Sequence, residues 1–167
     1  AGIVIVHQEL NMLGHLTVAQ NIFIGREPKK AGGIDWKTIN RRAAELLTTL
    51  NLNIDVTKTL GSYSVAVQQM IAIARAVDMK CQVLILDEPS SALDPIAENK
   101  MFEAIFDSFR DKTVIYILHR LSSATFADRI YLLENGQIAE QGTHAELIAL
   151  NGKYADMFHK QAEKYIS

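Results

Sequence analysis

The residues most able to do chemistry are two adjacent acids, Asp87 and Glu88, which follow directly after an apolar run at residues 83–86. A short apolar run bounded by polar residues is typical of a buried strand. A carboxylate at a strand end can hold Mg²⁺ through water, and the next carboxylate can orient or deprotonate an attacking water. Both acids could equally solvate the strand end or cap the next helix, so the pair alone leaves two interpretations open.

Two more polar side chains follow apolar runs in the same way. Gln8 comes just after the β-branched run 3–6, and His119 follows the apolar run 113–118. Ligands of open α/β sheets bind outside the carboxyl ends of the strands. We therefore expect Gln8, the acid pair and His119 to converge on one crevice, where His119 could donate a hydrogen bond to developing negative charge. The alternative for His119 is a solvated loop histidine.

Ser64 stands at the start of a helical pattern and offers an N-cap. The first backbone N–H groups of a helix have no partner within it, so they can hold an anion such as a phosphate. On local sequence alone, an ordinary helix cap is the other interpretation of this serine.

The front of the chain carries the periodicity of short helices. Thr17 and Gln20 form a capping box that opens one helix, which Gly25 could close, and Gly32 with Gly33 predicts a loop. Asp35 can cap a second helix. That helix should bury one face made of Ile39, Ala43, Leu46, Leu47 and Leu50. The helix after Ser64 should bury Met70, Ile71, Ala74 and Val77.

After residue 80 the pattern alternates between strand and helix. The strand at 83–86, a helix over 96–109 and a strand at 113–118 predict a parallel sheet with crossover helices. In that helix Phe102, Ile105, Phe106 and Phe109 share one face.

The last third of the chain predicts a hairpin and two helices. Asn135-Gly136 is the strongest short hairpin signal, between strands at 129–133 and 137–140. A capping box at Thr143 opens a helix that Asn151-Gly152 could end. Residues 153–165 are predicted to form a polar, exposed terminal helix.

Composition excludes several classes of protein. The 167 residues are 49% hydrophobic, enough for one compact unit, and their net charge of −2 leaves no basic stripe for nucleic acid. The single cysteine, Cys81, begins an apolar run and is predicted to be a small buried residue. The five histidines show no metal-ligand spacing, which disfavours a zinc site. No apolar stretch approaches the roughly 20 residues that span a bilayer.

Taken together, these residues resemble the motifs of ABC transporter ATPases, and their order is more specific than any single motif. Gln8 matches the Q-loop glutamine, and residues 63–69 lie where the signature motif belongs. Residues 83–89 resemble a Walker B strand with its catalytic glutamate. Residues 91–94 match the D-loop, and His119-Arg120 matches the switch histidine.

The resemblance implies an α/β fold: a partial P-loop NTPase (RecA-like) parallel sheet with an inserted helical subdomain and a small C-terminal β-hairpin plus helices. The helical subdomain would be residues 9–80. Residues 1–8 and 81–167 would form the RecA-like lobe. No G-x-x-x-x-G-K-[ST] occurs in the 167 residues, so the family's Walker A loop and its adenine-stacking aromatic residue are expected N-terminal to residue 1.

The resemblance also implies the chemistry of an ATPase that uses ATP and Mg²⁺. Glu88, His119 and Gln8 would be catalytic, and Asp87 with Gln8 would hold the metal. The residues contacting nucleotide would be Ser64, Val65, Ala66, Asp87 and Asp94. Ser64 would act in trans, across a dimer with a second nucleotide-binding domain. The other implied partner is a transmembrane permease subunit or domain, at the cytoplasmic face of the plasma membrane, with no role for nucleic acid.

Four positions depart from the family pattern. Val65 and Ala66 stand where most relatives have two glycines, and Val67 stands where glutamine is usual. A Cβ atom at these positions restricts the close approach of the backbone to phosphate. Sugar-import relatives have a similar Ser-Val-Ala version, so Val67 is the main oddity. Leu118 replaces a serine that commonly precedes the switch histidine.

The resemblance is mosaic, with a change near residues 75–85. Importer-like segments are residues 7–11, 21–27 and 34–36, and exporter-like segments are residues 95–98, 119–124 and 140–144. Monosaccharide import is the first interpretation, and an exporter-type ATPase for drugs, lipids or peptides is the alternative. A partial domain without catalytic activity is a different class. An ABC-type ATPase of DNA repair or chromosome structure ranks below these, because residues 9–80 hold no sustained heptads.

Overall fold

The computed structural model of the chain describes residues 2–7, 12–89, 93 and 95–163. They form a mixed α/β fold that divides into two compact units, residues 1–117 and residues 118–167. Each unit has its own hydrophobic cluster. The prediction that residues 9–80 form a separate helical subdomain is not decided by this division and stays a prediction.

The first unit contains a parallel sheet and four helices among its described residues. Its elements in chain order are β1 (Ile3–Val6), α1 (Val18–Phe23), β2 (Lys29–Lys30), β3 (Gly33–Ile34), α2 (Trp36–Thr49), α3 (Val65–Asp78), β4 (Val83–Asp87), α4 (Pro95–Ser108) and β5 (Thr113–Ile117). A single 3-10 turn at Leu60–Ser62 precedes α3. The loop predicted at Gly32 and Gly33 is confirmed at Gly32, which forms with Ala31 the turn of a small antiparallel hairpin, but Gly33 is already the first residue of β3 and pairs with Lys30.

The predicted parallel sheet is confirmed, with strand order β1-β4-β5. Ile3 pairs with Val83, which pairs with Thr113, and the pairing continues in register along all three strands. Leu84 and Leu86 of the central strand are fully buried. Because the strands are parallel and in register, their carboxyl ends lie along the same edge of the sheet.

Side-chain caps start the helices where the sequence predicts them. The Thr17 hydroxyl accepts from the Gln20 backbone N–H at 3.1 Å, and the Gln20 side chain accepts from the Thr17 N–H at 2.8 Å. Asp35 accepts from the Thr38 N–H at 3.1 Å, and this hydrogen bond is the main cause that lowers the pKa of Asp35. Gly25 has φ +75° just after α1, as expected of a residue that ends a helix.

The apolar faces of α1, α2 and α3 pack against one another. The predicted face of α2 is confirmed, because Ile39, Ala43, Leu47 and Leu50 are buried and Leu46 packs against them. On α3 the predicted Ile71 and Ala74 are buried, but so are Ala72, Ile73 and Ala76. That helix is covered on more than one face, because it also contacts α4 and β1.

Helix α4 packs on β5 through aromatic rings. The ring centroids of Phe102 and Tyr116 lie 5.3 Å apart, and those of Phe106 and Tyr116 lie 5.8 Å apart. Phe102 and Phe109 are buried, as predicted. Cys81 is buried as predicted; burial raises the pKa of its thiol, which donates to the Ala76 carbonyl.

The second unit is a hairpin with two helices. Its elements are β6 (Ile130–Glu134), β7 (Gln137–Gly142), α5 (His144–Leu150) and α6 (Lys153–Glu163), preceded by a 3-10 helix at Leu121–Phe126. Asn135 and Gly136 both have positive φ, as their two-residue hairpin turn requires. The Thr143 capping box and the left-handed Asn151 at the end of α5 are also confirmed.

The prediction of a polar, exposed terminal helix is wrong for the start of α6. Tyr154 and Ala155 are fully buried, and the Tyr154 hydroxyl lies 2.8 Å from Nδ1 of His144. The Glu140 carboxylate accepts from the backbone N–H groups of Lys153 and Tyr154, at 2.6 and 3.1 Å. Glu140 therefore caps this helix from β7 and fixes the aromatic anchor in place.

None of the helices in the described ranges is long and apolar enough to span a bilayer.

Truncation of the core should lower stability much more than the same truncation at the surface. Ile71 is 0% exposed in the cluster of α1 to α3, whereas Ile34 in β3 is 41% exposed. We expect Ile71→Ala to lower the free energy of unfolding by about 2–5 kcal/mol and Ile34→Ala by less than about 1 kcal/mol. Urea unfolding of both variants measures the difference, and equal losses would contradict the assigned core.

Candidate functional site

The candidate site lies at the carboxyl edge of the parallel sheet. Val6, Leu86 and Tyr116 are in register, and Asp87 is opposite Ile117. The segments that follow the three strands therefore leave the sheet along one edge. This is the edge at which open α/β sheets bind their ligands.

Glu88 is held in a strained backbone conformation at this edge. Its φ is +47°, in the left-handed region that side-chain-bearing residues seldom adopt. Its backbone N–H donates to the Ile117 carbonyl at 3.1 Å, which ties the end of β4 to the end of β5. Strain of this kind accumulates at functional sites, where the surrounding structure imposes it. The acid pair is therefore fixed to two strands, and both acids remain partly exposed.

Gln8 and Asp94 lie outside the described residues, as do Ser90, Ser91 and Ala92 of the expected D-loop. His119 belongs to the second unit. The convergence of Gln8, Glu88 and His119 on one crevice therefore stays a prediction.

The backbone around His119 is held by a residue that the sequence analysis missed. The Gln161 side chain donates through Nε2 to the His119 carbonyl at 2.8 Å, and its Oε1 accepts from the Leu121 N–H at 2.8 Å. One carboxamide thus spans the backbone on both sides of Arg120. No local pattern marks Gln161, because its partners are about 40 residues away in sequence. The one signal in the sequence that could have indicated this contact is the amphipathic pattern of residues 153–163, which favours a helix that packs on the rest of the unit.

The start of α3 is open to solvent. Ser64 is confirmed as its N-cap, but its hydroxyl accepts from the Val67 N–H at a long 3.4 Å. Ser64 is exposed and Val65 is 51% exposed. The first backbone N–H groups of this 14-residue helix can therefore reach an external anion. The Cβ atoms of Val65 and Ala66 limit how closely such an anion approaches.

The acid pair suits Mg²⁺ held together with a phosphate ligand. Among the residues that the structure describes, no group of three or more His, Cys, Asp or Glu side chains could hold a metal ion. Mg²⁺ commonly binds proteins through one or two carboxylates, with waters and substrate phosphates completing its octahedron. A single carboxylate such as Asp87 at a strand end fits that mode of binding.

The parallel sheet with its polar carboxyl edge defines an α/β protein, and the match to a solved structure assigns it to the P-loop NTPase fold. The chain matches a bacterial Atm1-family ABC exporter with ATP bound, with a TM-score of 0.71 and 29% sequence identity. The match covers 96% of this chain and 28% of the exporter chain. A family model described as ABC transporter matches residues 1–91. The chain belongs to the ABC transporter family.

Curated relatives are ATP-binding proteins of sugar transport. The chain is 42% identical to the galactofuranose transporter ATP-binding protein YtfR of Escherichia coli K12, over 81% of this chain and 27% of that protein. It is 43% identical to the xylose import ATP-binding protein XylG of Brucella abortus, over 81% of this chain and 27% of that protein. The chain therefore spans about a quarter of the length of these relatives.

Relieving the strain at Glu88 should stabilise the protein. Glu88→Gly and Glu88→Ala remove the same carboxylate, but only glycine adopts positive φ without steric cost. We expect the glycine variant to be more stable than the alanine variant by about 1–2 kcal/mol. Thermal or urea unfolding measures this difference, and equal stability would show that Glu88 is not left-handed in solution.

The Gln161 side chain should slow hydrogen exchange of the Leu121 amide. Two variants of Gln161 separate the contribution of its acceptor oxygen from that of its donor nitrogen. Gln161→Leu removes both bonds, so exchange of the Leu121 amide hydrogen should become faster by roughly five-fold. Gln161→Glu keeps an acceptor for the Leu121 N–H and loses the donor to the His119 carbonyl. We therefore expect near-normal protection of Leu121 in that variant. Unchanged exchange in Gln161→Leu would contradict the assigned contact.

Proposed function

We propose that this chain is the part of an ABC transporter ATPase that supplies the water-activating acid and the signature helix for ATP hydrolysis. The observation that carries the proposal is the acid pair at the sheet edge. Asp87 ends the central strand, and Glu88 is held in a strained turn bonded to Ile117, in a chain that belongs to this family.

In this proposal the two acids have separate roles. Asp87 would hold Mg²⁺, and the Glu88 carboxylate would orient the attacking water and accept its proton. The water oxygen bonds to the γ-phosphorus of ATP as the bond from that phosphorus to the β,γ-bridging oxygen breaks. His119 donates a hydrogen bond to the γ-phosphate as its charge develops, and Gln8 contributes to the metal site. Mg²⁺ neutralises charge on the phosphates when it is bound.

The proposed role of α3 is to bind phosphate at its N-terminus, which is exposed to solvent. In a dimer of nucleotide-binding domains, the exposed Ser64 and the free N–H groups of Val65 and Ala66 face the γ-phosphate held by the partner domain. The positive end of the helix dipole favours the charge of that phosphate. An exposed helix end suits a site that another subunit completes, and Asp94 is proposed to contact the same nucleotide.

The relatives favour an importer of monosaccharides as the parent system. Galactofuranose and xylose appear in the names of proteins at 42% and 43% identity. The exporter at 29% identity keeps export as the alternative direction. In either case we propose a transmembrane permease subunit or domain as partner and a peripheral position at the cytoplasmic face of the plasma membrane.

A non-catalytic partial domain is the competing proposal for the chain by itself. The 167 residues contain no G-x-x-x-x-G-K-[ST], the pattern whose backbone and lysine cradle phosphates. A domain that folds without that loop can still dock to a partner. Hydrolysis is therefore best measured both with the chain alone and with the chain inside a full-length ATP-binding protein.

A graft into a relative separates the two proposals. Residues 3–117 replace the matching segment of YtfR, and Mg²⁺-dependent ATP hydrolysis is measured for the graft and for the purified chain. We expect the graft to hydrolyse ATP, and Glu88→Gln to lower kcat by about 100-fold or more while ATP still binds, because the base is lost. Glu103→Gln, at an exposed acid on α4, is the matched control and should keep the rate.

Two results would decide against the enzyme. Retention of kcat in the Glu88→Gln graft would show that this acid does not activate water. A folded graft that binds ATP without hydrolysing it, together with a stable but inactive chain, would instead support the non-catalytic partial domain.

A further inference from the structure

A groove lies between β1 and α3, next to the places where these two elements touch. It has a volume of about 360 Å³ and is lined by residues 3–7 and by α3 side chains that include Arg75 and Met79. This volume falls within the range of roughly 300–1,000 Å³ that is usual for ligand sites. All of these residues belong to the first unit.

The backbone of β1 is unpaired on the groove side. β1 is the terminal strand of the sheet, so it pairs with β4 on one side only. The Gly2 carbonyl accepts from the Val83 N–H, and successive residues of a strand direct their backbone groups to opposite sides. Ile3 and Ile5 therefore direct their N–H and C=O groups away from β4. On that side no hydrogen bond joins them to a described residue.

Nothing in β1 protects this edge against pairing. The strand reads Ile-Val-Ile-Val, without the charge, proline or bulge that usually blunts an edge strand. Ile3 is 66% exposed and Ile5 is 49% exposed. An edge of this kind is a template for a further strand.

Arg75 gives the groove a positive charge for which no described residue supplies a counterion. Asp78 lies one turn further along α3, at a spacing that permits an ion pair. Its two carboxylate oxygens are bound instead by Arg26 and, at 3.0 Å, by Arg42. The Arg75 carbonyl accepts from the Met79 N–H at 3.1 Å, but the Arg75 guanidinium makes no hydrogen bond or ion pair with a described residue. Arg75 is partly buried and lines the groove together with β1. A carboxylate bound to its guanidinium would therefore lie beside the unpaired strand.

We propose that this groove binds an extended peptide segment of a partner protein, which adds to β1 as a further strand and places a carboxylate against Arg75. The peptide backbone would satisfy the free groups of Ile3 and Ile5, as in other recognition by strand addition. The carboxylate would form charge-assisted hydrogen bonds with the guanidinium. Met79 and the exposed isoleucines would cover apolar side chains of the peptide. This proposal is independent of ATP chemistry and would survive the failure of the enzymatic one.

The test titrates the full 167-residue chain with a defined probe. The probe is the acetylated and amidated peptide Val-Thr-Val-Glu-Val-Thr, and binding is followed by NMR of the ¹⁵N-labelled chain. We expect shifts and slowed hydrogen exchange at the amides of Ile3 and Ile5. Replacing the peptide glutamate by glutamine, or making Arg75→Gln, should weaken binding by about ten-fold or more. Arg41→Gln, which changes an exposed arginine of α2, should leave affinity unchanged.

Four outcomes would overturn the proposal. The first is equal binding of a backbone N-methylated probe, which cannot donate the strand hydrogen bonds. The second is equally tight binding of N-acetylglutamate, which would indicate a small-anion site. The third is a chain dimer joined through β1, and the fourth is no binding up to about 1 mM probe. Changes made in the probe leave the chain intact, so a variant that fails to fold cannot imitate these results.

Discussion

The in-register pairing of the three parallel strands is the constraint on which the candidate site depends. Leu84 and Leu86 of β4 are fully buried, and they alternate with residues that include Asp87. Slippage of β4 by one residue would put Val83 and Ile85 in the place of the two leucines and turn the Asp87 carboxylate toward the core, where burying an unpaired charge costs several kcal/mol. The cost of burying Asp87 therefore determines on which face of the sheet this carboxylate stands. The Glu88 N–H bond to Ile117 then fixes the turn that follows.

Features whose causes lie within a few residues could be predicted from the sequence. The capping boxes at Thr17 and Thr143 and the turn at Asn135-Gly136 form through contacts over three residues or fewer, so their chemistry is visible in the local pattern. The parallel sheet was predictable because buried parallel strands are continuously apolar. The family could also be predicted, because the order of its motifs is defined by residue types and their spacing, both of which are visible in the sequence.

Features that depend on distant partners could not be predicted. Gln161 contacts His119 and Leu121 across about 40 residues. Tyr154 is buried in a cluster with residues that include Leu121 and Leu147, while Glu140 of β7 caps α6. The mostly polar sequence of α6 predicts an exposed helix, because the residues that cover its aromatic side chains lie elsewhere in the chain. The left-handed φ of Glu88 was not predictable either, because no glycine or asparagine stands at this position and the Ile117 carbonyl that accepts from its N–H belongs to another strand.

The three strands are constrained unequally, and this difference matches the proposed division of work. β4 has neighbours on both sides, so the acids at its end are held where proton transfer needs fixed geometry. β1, from which Gln8 follows, pairs on one side and exposes Ile3 and Ile5. Displacing a strand with one neighbour breaks fewer contacts than displacing a central one, so its local opening costs less free energy. The acid pair follows the central strand and so has the fixed geometry that its proposed role requires, whereas Gln8, proposed to contribute to the metal site, follows the outer strand.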